Sequence, residues 1–139
     1  VKSLIDELGM HDRVSLLGRV SQDVLRAELS AANVFILPSL LENAPMVIAE
    51  AMAAGVPVIG SNVCGMPTMI DEDENGFLIE PEEIGGIADR LGRILRDSEL
   101  QRRMSRAAVE RARNTYHSDA VVAATLALYE KVRTAYAAA

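Results

Sequence analysis

A chain of 139 residues with a net charge of −6 is long enough for one domain with a true core. It is too acidic for nucleic acid or an anionic membrane to be its main partner, because both require a basic surface. The single cysteine, Cys64, excludes an internal disulfide and fits a reducing compartment, and no apolar run nears the ~20 residues of a membrane span.

Half of the residues are hydrophobic and 24% are charged, an ordinary balance for a soluble globular protein. No charged-then-apolar signal peptide opens the chain, so a cytoplasmic location is expected. The chain starts without Met and in what reads as mid-helix, as expected of a piece of a longer protein.

Residues 2–8 place Leu4, Ile5 and Leu8 at helical spacing, and Gly9 is a natural stop. Val14-Ser15-Leu16-Leu17 reads as a short strand ending at Gly18. Ser21 can cap a helix over 22–32, with Val24, Leu25 and Leu29 as its buried stripe. Val34-Phe35-Ile36-Leu37 is a continuous apolar run, the pattern of a strand covered on both faces, and Pro38 ends it. A helix over 45–54 follows, with Pro45 in its first turn and Gly55 just past its end. Pro57-Val58-Ile59 and Gly76-Phe77-Leu78-Ile79 read as two more covered strands. Helices over about 82–96, 99–114 and 118–137 finish the chain, punctuated by Asp97-Ser98 and by Tyr116-His117-Ser118, with Ser118 a cap. The Ala-rich tail at 135–139 is expected to fray. Strands alternating with helices predict an α/β fold with a Rossmann-like parallel sheet of about four strands and a helical C-terminus.

The chemistry concentrates in Pro38 to Ile59. Glu42 and Glu50 are eight residues apart, and everything from Met46 to Ala54 other than Glu50 is apolar. A helix apolar all round is a buried helix, and a carboxylate on it is costly unless something pairs with it. In an open α/β sheet, ligands bind outside the carboxyl ends of the strands, and Ser39–Ala44 is such a strand-to-helix loop. The helix it feeds presents free N–H groups, those of Met46 and Val47 but not of Pro45, together with a positive dipole end that favours phosphate. Glu42 before the helix and Glu50 within it can each accept from a ligand hydroxyl. Phosphates together with vicinal hydroxyls describe a nucleotide sugar.

Five segments carry a resemblance: Val14-Ser15-Leu16-Leu17-Gly18-Arg19-Val20, Ala31-Ala32-Asn33-Val34-Phe35-Ile36-Leu37-Pro38-Ser39, the Glu-x(7)-Glu pair, Glu50-Ala51-Met52-Ala53-Ala54-Gly55-Val56-Pro57-Val58-Ile59, and Asn75-Gly76-Phe77-Leu78-Ile79. In that order, residues 14–96 resemble the C-terminal, donor-binding domain of retaining GT-B glycosyltransferases of the group 1 family. The resemblance implies that Glu42 holds a donor-sugar hydroxyl at the reacting centre and that Glu50 holds the ribose hydroxyls. It also implies that Asn43, Ala44, Met46 and Val47 face the sugar and diphosphate, and that Gly18, Arg19 and Val20 lie against the base. The implied reaction is glycosyl transfer with retention from a UDP- or GDP-sugar, without a cofactor or an active-site metal, the donor's own phosphate assisting the acceptor. Peripheral association of the full-length protein with the inner membrane face stays open.

Some positions depart from the family pattern. Asn43-Ala44-Pro45 stands where glycines are frequent, and Cys64-Gly65-Met66-Pro67-Thr68 replaces a frequent Gly-Gly-x-x-Glu, with Thr68 at the acid position. By the same resemblance the chain is a partial domain, core 14–96 with C-terminal helices 99–137. It lacks the N-terminal acceptor domain, the first two strands and the basic pair that grips the diphosphate. Arg19 and Arg26 are the only cations near the expected site. The isolated chain is therefore expected to be inactive and at best a weak nucleotide binder. With a sheet order of 3-2-1-4-5-6, the strand at 14–17 must pair with the fourth, pair with another molecule, or be lost. The exposed edge is expected to drive dimerisation or aggregation.

Plainer readings stand beside these. Glu50 alone could be a structural acid, and Glu42 a solvated loop acid. His11 and His117 read as surface or capping residues, and Cys64 as an inert small residue. Asp71-Glu72-Asp73-Glu74 reads as a solvated turn, the arginines of 90–113 as a solvated face, and Met46, Met52, Met66, Met69 and Met104 as core filler. Two rival functions remain: half of a sugar-nucleotide epimerase, and a non-catalytic α/β interaction module. A phosphate-switch receiver would need acids at strand ends, where this chain has Gly18, Pro38 and Gly60.

Overall fold

The computed structural model describes residues 1–137, apart from the side chain of Ile84. The elements run α1 (Lys2–Glu7), α2 (Gln22–Ala31), β1 (Phe35–Leu37), α3 (Met46–Ala53), β2 (Val58–Ser61), a 3-10 turn (Met66–Thr68), β3 (Gly76–Ile79), α4 (Ile84–Arg96), α5 (Ser98–Arg111), a π-helical turn (Ala112–Tyr116) and α6 (Ser118–Ala137). Ser21 caps α2 as expected, its hydroxyl accepting from the Val24 N–H at 3.4 Å. Asp97 caps α5 by accepting from the N–H groups of Glu99 and Leu100, both at 3.0 Å. Ser118 is not a cap but the first residue of α6; the ring Nδ1 of His117 instead accepts from the Asp119 N–H at 3.4 Å. Of the tail, residues up to Ala137 close α6, and 138 and 139 lie outside the described residues.

The strands form one parallel sheet in the order β1-β2-β3. Phe35 registers with Val58, and Val58 with Gly76. Alternation along the strands sorts side chains to two faces. Phe35, Leu37 and Val58 pack with Leu29, Ile48, Met52, Met66 and Ile70 on the side of α2 and α3. Val34, Ile36, Ile59, Phe77 and Ile79 pack with Ile94 and Met104 on the side of α4 and α5. Helices therefore cover both faces, and β2, buried at all four residues, is the spine. Each large side chain fully buried here contributes about 1.5–3 kcal/mol of hydrophobic stabilisation.

The strand expected at 14–17 does not form. Val14 to Leu17 has no regular structure, and Leu16 and Leu17 are 57% and 51% exposed. A strand exists only through a ladder partner, and among the described residues Val14–Leu17 has none. Of the three outcomes foreseen, loss is the one realised, and the described residues hold three strands rather than four. The free edge of β1 is left half-buried.

The acidic run 71–74 is the exposed turn expected, and two of its acids also make specific contacts. Glu72 accepts from the Leu78 N–H at 2.6 Å on the outer edge of β3, and its carboxylate lies 3.5 Å from Arg90. Asp73 pairs with Arg93 at 3.0 Å. Both guanidinium groups stack over the Phe77 ring, at 5.1 and 4.6 Å from its centroid. Charge and a side-chain acceptor thus seal the β3 edge.

Candidate functional site

The crevice at the carboxyl ends of the strands is built around the start of α3. β1 ends at Leu37, and the chain reaches α3 through Pro38–Pro45. Pro45 is the extended N-cap, at φ −69° and ψ 113°, and the Ile48 N–H bonds back to its carbonyl at 2.9 Å. The N–H groups of Met46 and Val47 have no acceptor among the described residues, so two donors and the positive end of the helix open at the mouth. At the far end, Gly55 takes the left-handed conformation (φ +76°), while its N–H bonds to Met52 and that of Val56 to Ala51. This closing motif turns the chain directly into β2.

The helix is not buried all round. Ile48, Ala49, Ala51 and Met52 are buried, whereas Met46 is 63% exposed and Ala53 and Ala54 are open. Glu50 lies on that open face, half-buried, with no hydrogen bond or ion pair among the described residues. The expectation of a costly buried carboxylate is therefore corrected: small alanines and one exposed methionine make an open face look apolar in sequence. Met46 is likewise not core filler, unlike Met52, Met66, Met69 and Met104.

Glu50 stands on a ridge between two clefts. One, of about 270 Å³, lies against α2 and is lined by Gln22, Leu25, Arg26 and Ser30. The other, of about 420 Å³ and mainly apolar, lies against the π-helical turn and is lined by Met46, Val109, Arg113, Tyr116 and His117. Arg113, Tyr116 and His117 were not foreseen as site residues. Their position depends on the path of α5 across α3, for which the sequence carries only the weak signal of an irregular Tyr-His-Ser junction.

Glu42 is half-buried in the loop before α3, while Asn43 and Ala44 are exposed and Val47 is half-buried. The Glu42 carbonyl accepts from the Gly65 N–H at 3.2 Å, tying this loop to the one after β2. Thr68, at the expected acid position, turns its hydroxyl to the Gly65 carbonyl at 2.7 Å. Gly18, Arg19 and Val20 are exposed and lead into Ser21 at the start of α2, next to the smaller cleft. Arg26 lines that cleft, with Asp23 3.3 Å away. Ser61, the last residue of β2, is fully buried with its hydroxyl unpartnered. His11 is exposed beside Asp6, at 3.5 Å. Among the described residues, no three His, Cys, Asp or Glu side chains gather as a metal site, and no helix is long and apolar enough to cross a membrane.

Comparison with known proteins places the chain in a family. The profile of the family described as "Glycosyl transferases group 1" covers residues 1–111. D-inositol 3-phosphate glycosyltransferase of Corynebacterium efficiens is 36% identical over 135 residues, which are 96% of this chain and 31% of that protein. Among solved structures, a sucrose-phosphate synthase from Thermosynechococcus elongatus is 32% identical with a TM-score of 0.84, covering 96% of this chain and 34% of that one. Anabaena Alr3699/HepE, solved in complex with UDP, is 25% identical with a TM-score of 0.80, covering 96% of this chain and 35% of its own. The chain spans about a third of the length of these relatives. Sequence profile and fold agree: this chain belongs to the group 1 glycosyl transferase family.

Proposed function

We propose that the chain is the donor-binding part of a retaining glycosyltransferase. In this reading it forms a C-terminal domain, core 14–96 followed by helices 99–137, of a longer cytoplasmic protein that moves a sugar from a UDP- or GDP-sugar to an acceptor. The observation that carries the reading is the placement of Glu50: an unpaired carboxylate on the open face of α3, between two clefts and below a helix mouth with free N–H groups. A carboxylate so placed accepts from ribose hydroxyls, while the N–H groups of Met46 and Val47 receive phosphate oxygens. Glu42, in the loop that leads into α3, accepts from a hydroxyl of the sugar, with Asn43 and Ala44 beside it. Gly18, Arg19 and Val20 flank the base. The diphosphate leaves as a dianion and is itself the group that draws the acceptor proton, so this half of the site needs positioning more than a separate base. No metal or cofactor enters this scheme. That a UDP-bound relative shares the fold supports it.

Cations limit the fragment. Arg19 and Arg26 lie on the α2 side and Arg113 on the other, and Arg26 already faces Asp23. A diphosphate without charge-assisted bonds is held weakly. The isolated chain is expected to bind UDP or GDP only at millimolar concentration, to protect amides 42–50 from hydrogen exchange on binding, and to catalyse no transfer. Glu50→Ala removes the protection. Tight binding by calorimetry sinks the claim of an incomplete site, and unprotected 42–50 amides at saturating nucleotide favour the interaction-module reading.

A further inference from the structure

Gly65 makes the tightest backbone approach of any glycine in the chain, and it makes it to the loop that carries Glu42. A Cβ built on Gly65 lies 1.4 Å from the Asn43 carbonyl oxygen and 2.5 Å from its carbon. Both are backbone atoms, so no side-chain rotation relieves the overlap. Ordinary contact begins about 2 Å farther out, so any larger residue lifts the loop by about that distance. Conformational freedom is not the reason for glycine here: Gly65 has φ −87° and ψ −11°, which any residue adopts. Close approach is.

The glycine is also the middle link of a braced chain. Arg111 of α5 donates from Nη2 to the Thr68 carbonyl at 2.6 Å. The Thr68 hydroxyl donates to the Gly65 carbonyl at 2.7 Å, and the Gly65 N–H donates to the Glu42 carbonyl at 3.2 Å. Arg111 is itself steadied by Asp71, 3.6 Å from its Nε. The α5 helix thus supports the 3-10 turn, and the turn forms the floor under Glu42 and Asn43. Leu40 and Leu41, just upstream, are 75% and 77% exposed, so this floor is what holds the loop from below.

We propose that Gly65 is a positioning residue for the sugar half of the donor site, with Thr68 as its brace: it fixes the backbone of Glu42 and Asn43 in the loop leading into α3 and does not itself touch the nucleotide. The proposal rests on the donor-binding reading. Nucleotide and sugar separate in its consequences, because Glu50 and the amides of Met46 and Val47 belong to α3, which holds the core through Ile48, Ala49, Ala51 and Met52, whereas Glu42 and Asn43 meet the turn through backbone atoms at Gly65. A displacement of an angstrom or more at a reacting group costs on the order of 100-fold in productive positioning.

The test is the Gly65→Ala variant of the 139-residue chain, titrated by NMR with UDP and UDP-glucose and with GDP and GDP-mannose. Hydrogen exchange of the 65–68 turn and thermal melting are measured alongside. Expected are nucleoside-diphosphate affinities within about twofold of wild type, loss of any gain that the attached sugar confers, and exchange of the residue-65 amide, which donates to the Glu42 carbonyl, faster by roughly fivefold or more, the factor for one lost hydrogen bond. Should Gly65→Ala fail to fold, Thr68→Val, which keeps the shape and removes the brace, must move the same two readouts in the same direction. Sugar-dependent affinity and turn exchange equal to wild type overturn the proposal. If wild-type chain binds none of the four nucleotides, the donor-binding reading fails separately. Exchange then decides the positioning role: acceleration confined to residues 65–68 upholds it, and unchanged or chain-wide exchange overturns it.

Discussion

The two edges of the sheet are made differently. At β3 the outer N–H of Leu78 is taken by Glu72, the arginines of α4 lie over Phe77, and two ion pairs tie helix to loop. At β1 no described residue pairs with the outer ladder: the strand is three residues long, half-buried, and the apolar segment at 14–17 is coil. The first edge is sealed by side chains, and the second is open among the described residues. Hydrophobic residues alone did not make a strand at Val14–Leu17, because a parallel strand draws its stability from the neighbour that it pairs with.

The largest test of this contrast is a pair of aromatic truncations. Phe77 is fully buried between β2 and α4, whereas Phe35 is only partly covered. Phe77→Ala is expected to cost about 3–5 kcal/mol, a large share of the roughly 5–15 kcal/mol available to a domain, and to abolish or greatly weaken cooperative urea unfolding. Phe35→Ala should cost less than half as much. Equal losses would mean that the β1 edge is as well packed as the β3 edge, and the comparison would fail.

A smaller effect is expected at Glu72. Glu72→Ala leaves the Leu78 N–H to water and Arg90 without its partner. Because the carboxylate is 41% exposed, the expected loss is discounted to about 1 kcal/mol, read from the urea midpoint. The same change opens the β3 edge, so light scattering should show added association. Association unchanged would mean that Arg90 and Arg93 seal this edge without it.

These regions also show what was legible in the sequence. Val34–Leu37, Pro57–Ile59 and Gly76–Ile79 announced themselves as covered strands because continuous apolar runs ending at Pro or Gly have few other solutions. The Ser21 cap was legible for a similar local reason. Glu42 and Glu50 stood out as candidates by their spacing, but the surroundings of Glu50 were misread. Hydropathy scores Ala53, Ala54 and Met46 as interior residues, while exposure is decided by which helices lie alongside. The cleft residues Arg113, Tyr116 and His117 were hidden because a π-helical turn, not a periodic segment, brings them to α3. The edge role of Glu72 was hidden because four adjacent acids look like solvent-facing charge. The clash at Gly65 is a property of two loops 22 residues apart, and no local pattern carries it.

The smallest effect on stability should come from the lost strand itself. Leu16 and Leu17 are more than half exposed and make no ladder bond, so Leu16→Asp with Leu17→Asp should shift the unfolding free energy by no more than about 0.5 kcal/mol. Their expected effect is on assembly. The open β1 edge and two exposed leucines are an adhesive surface, so wild-type chain should show a weight-average mass that rises with concentration, and the double variant a flatter dependence. A wild-type chain that is a clean monomer by light scattering counts against self-association through this edge. A large loss of stability in the double variant carries a different message: it would mean that Val14–Leu17 does pair in solution, as a strand against β1 or against a second copy, and that the coil seen here is not its resting state.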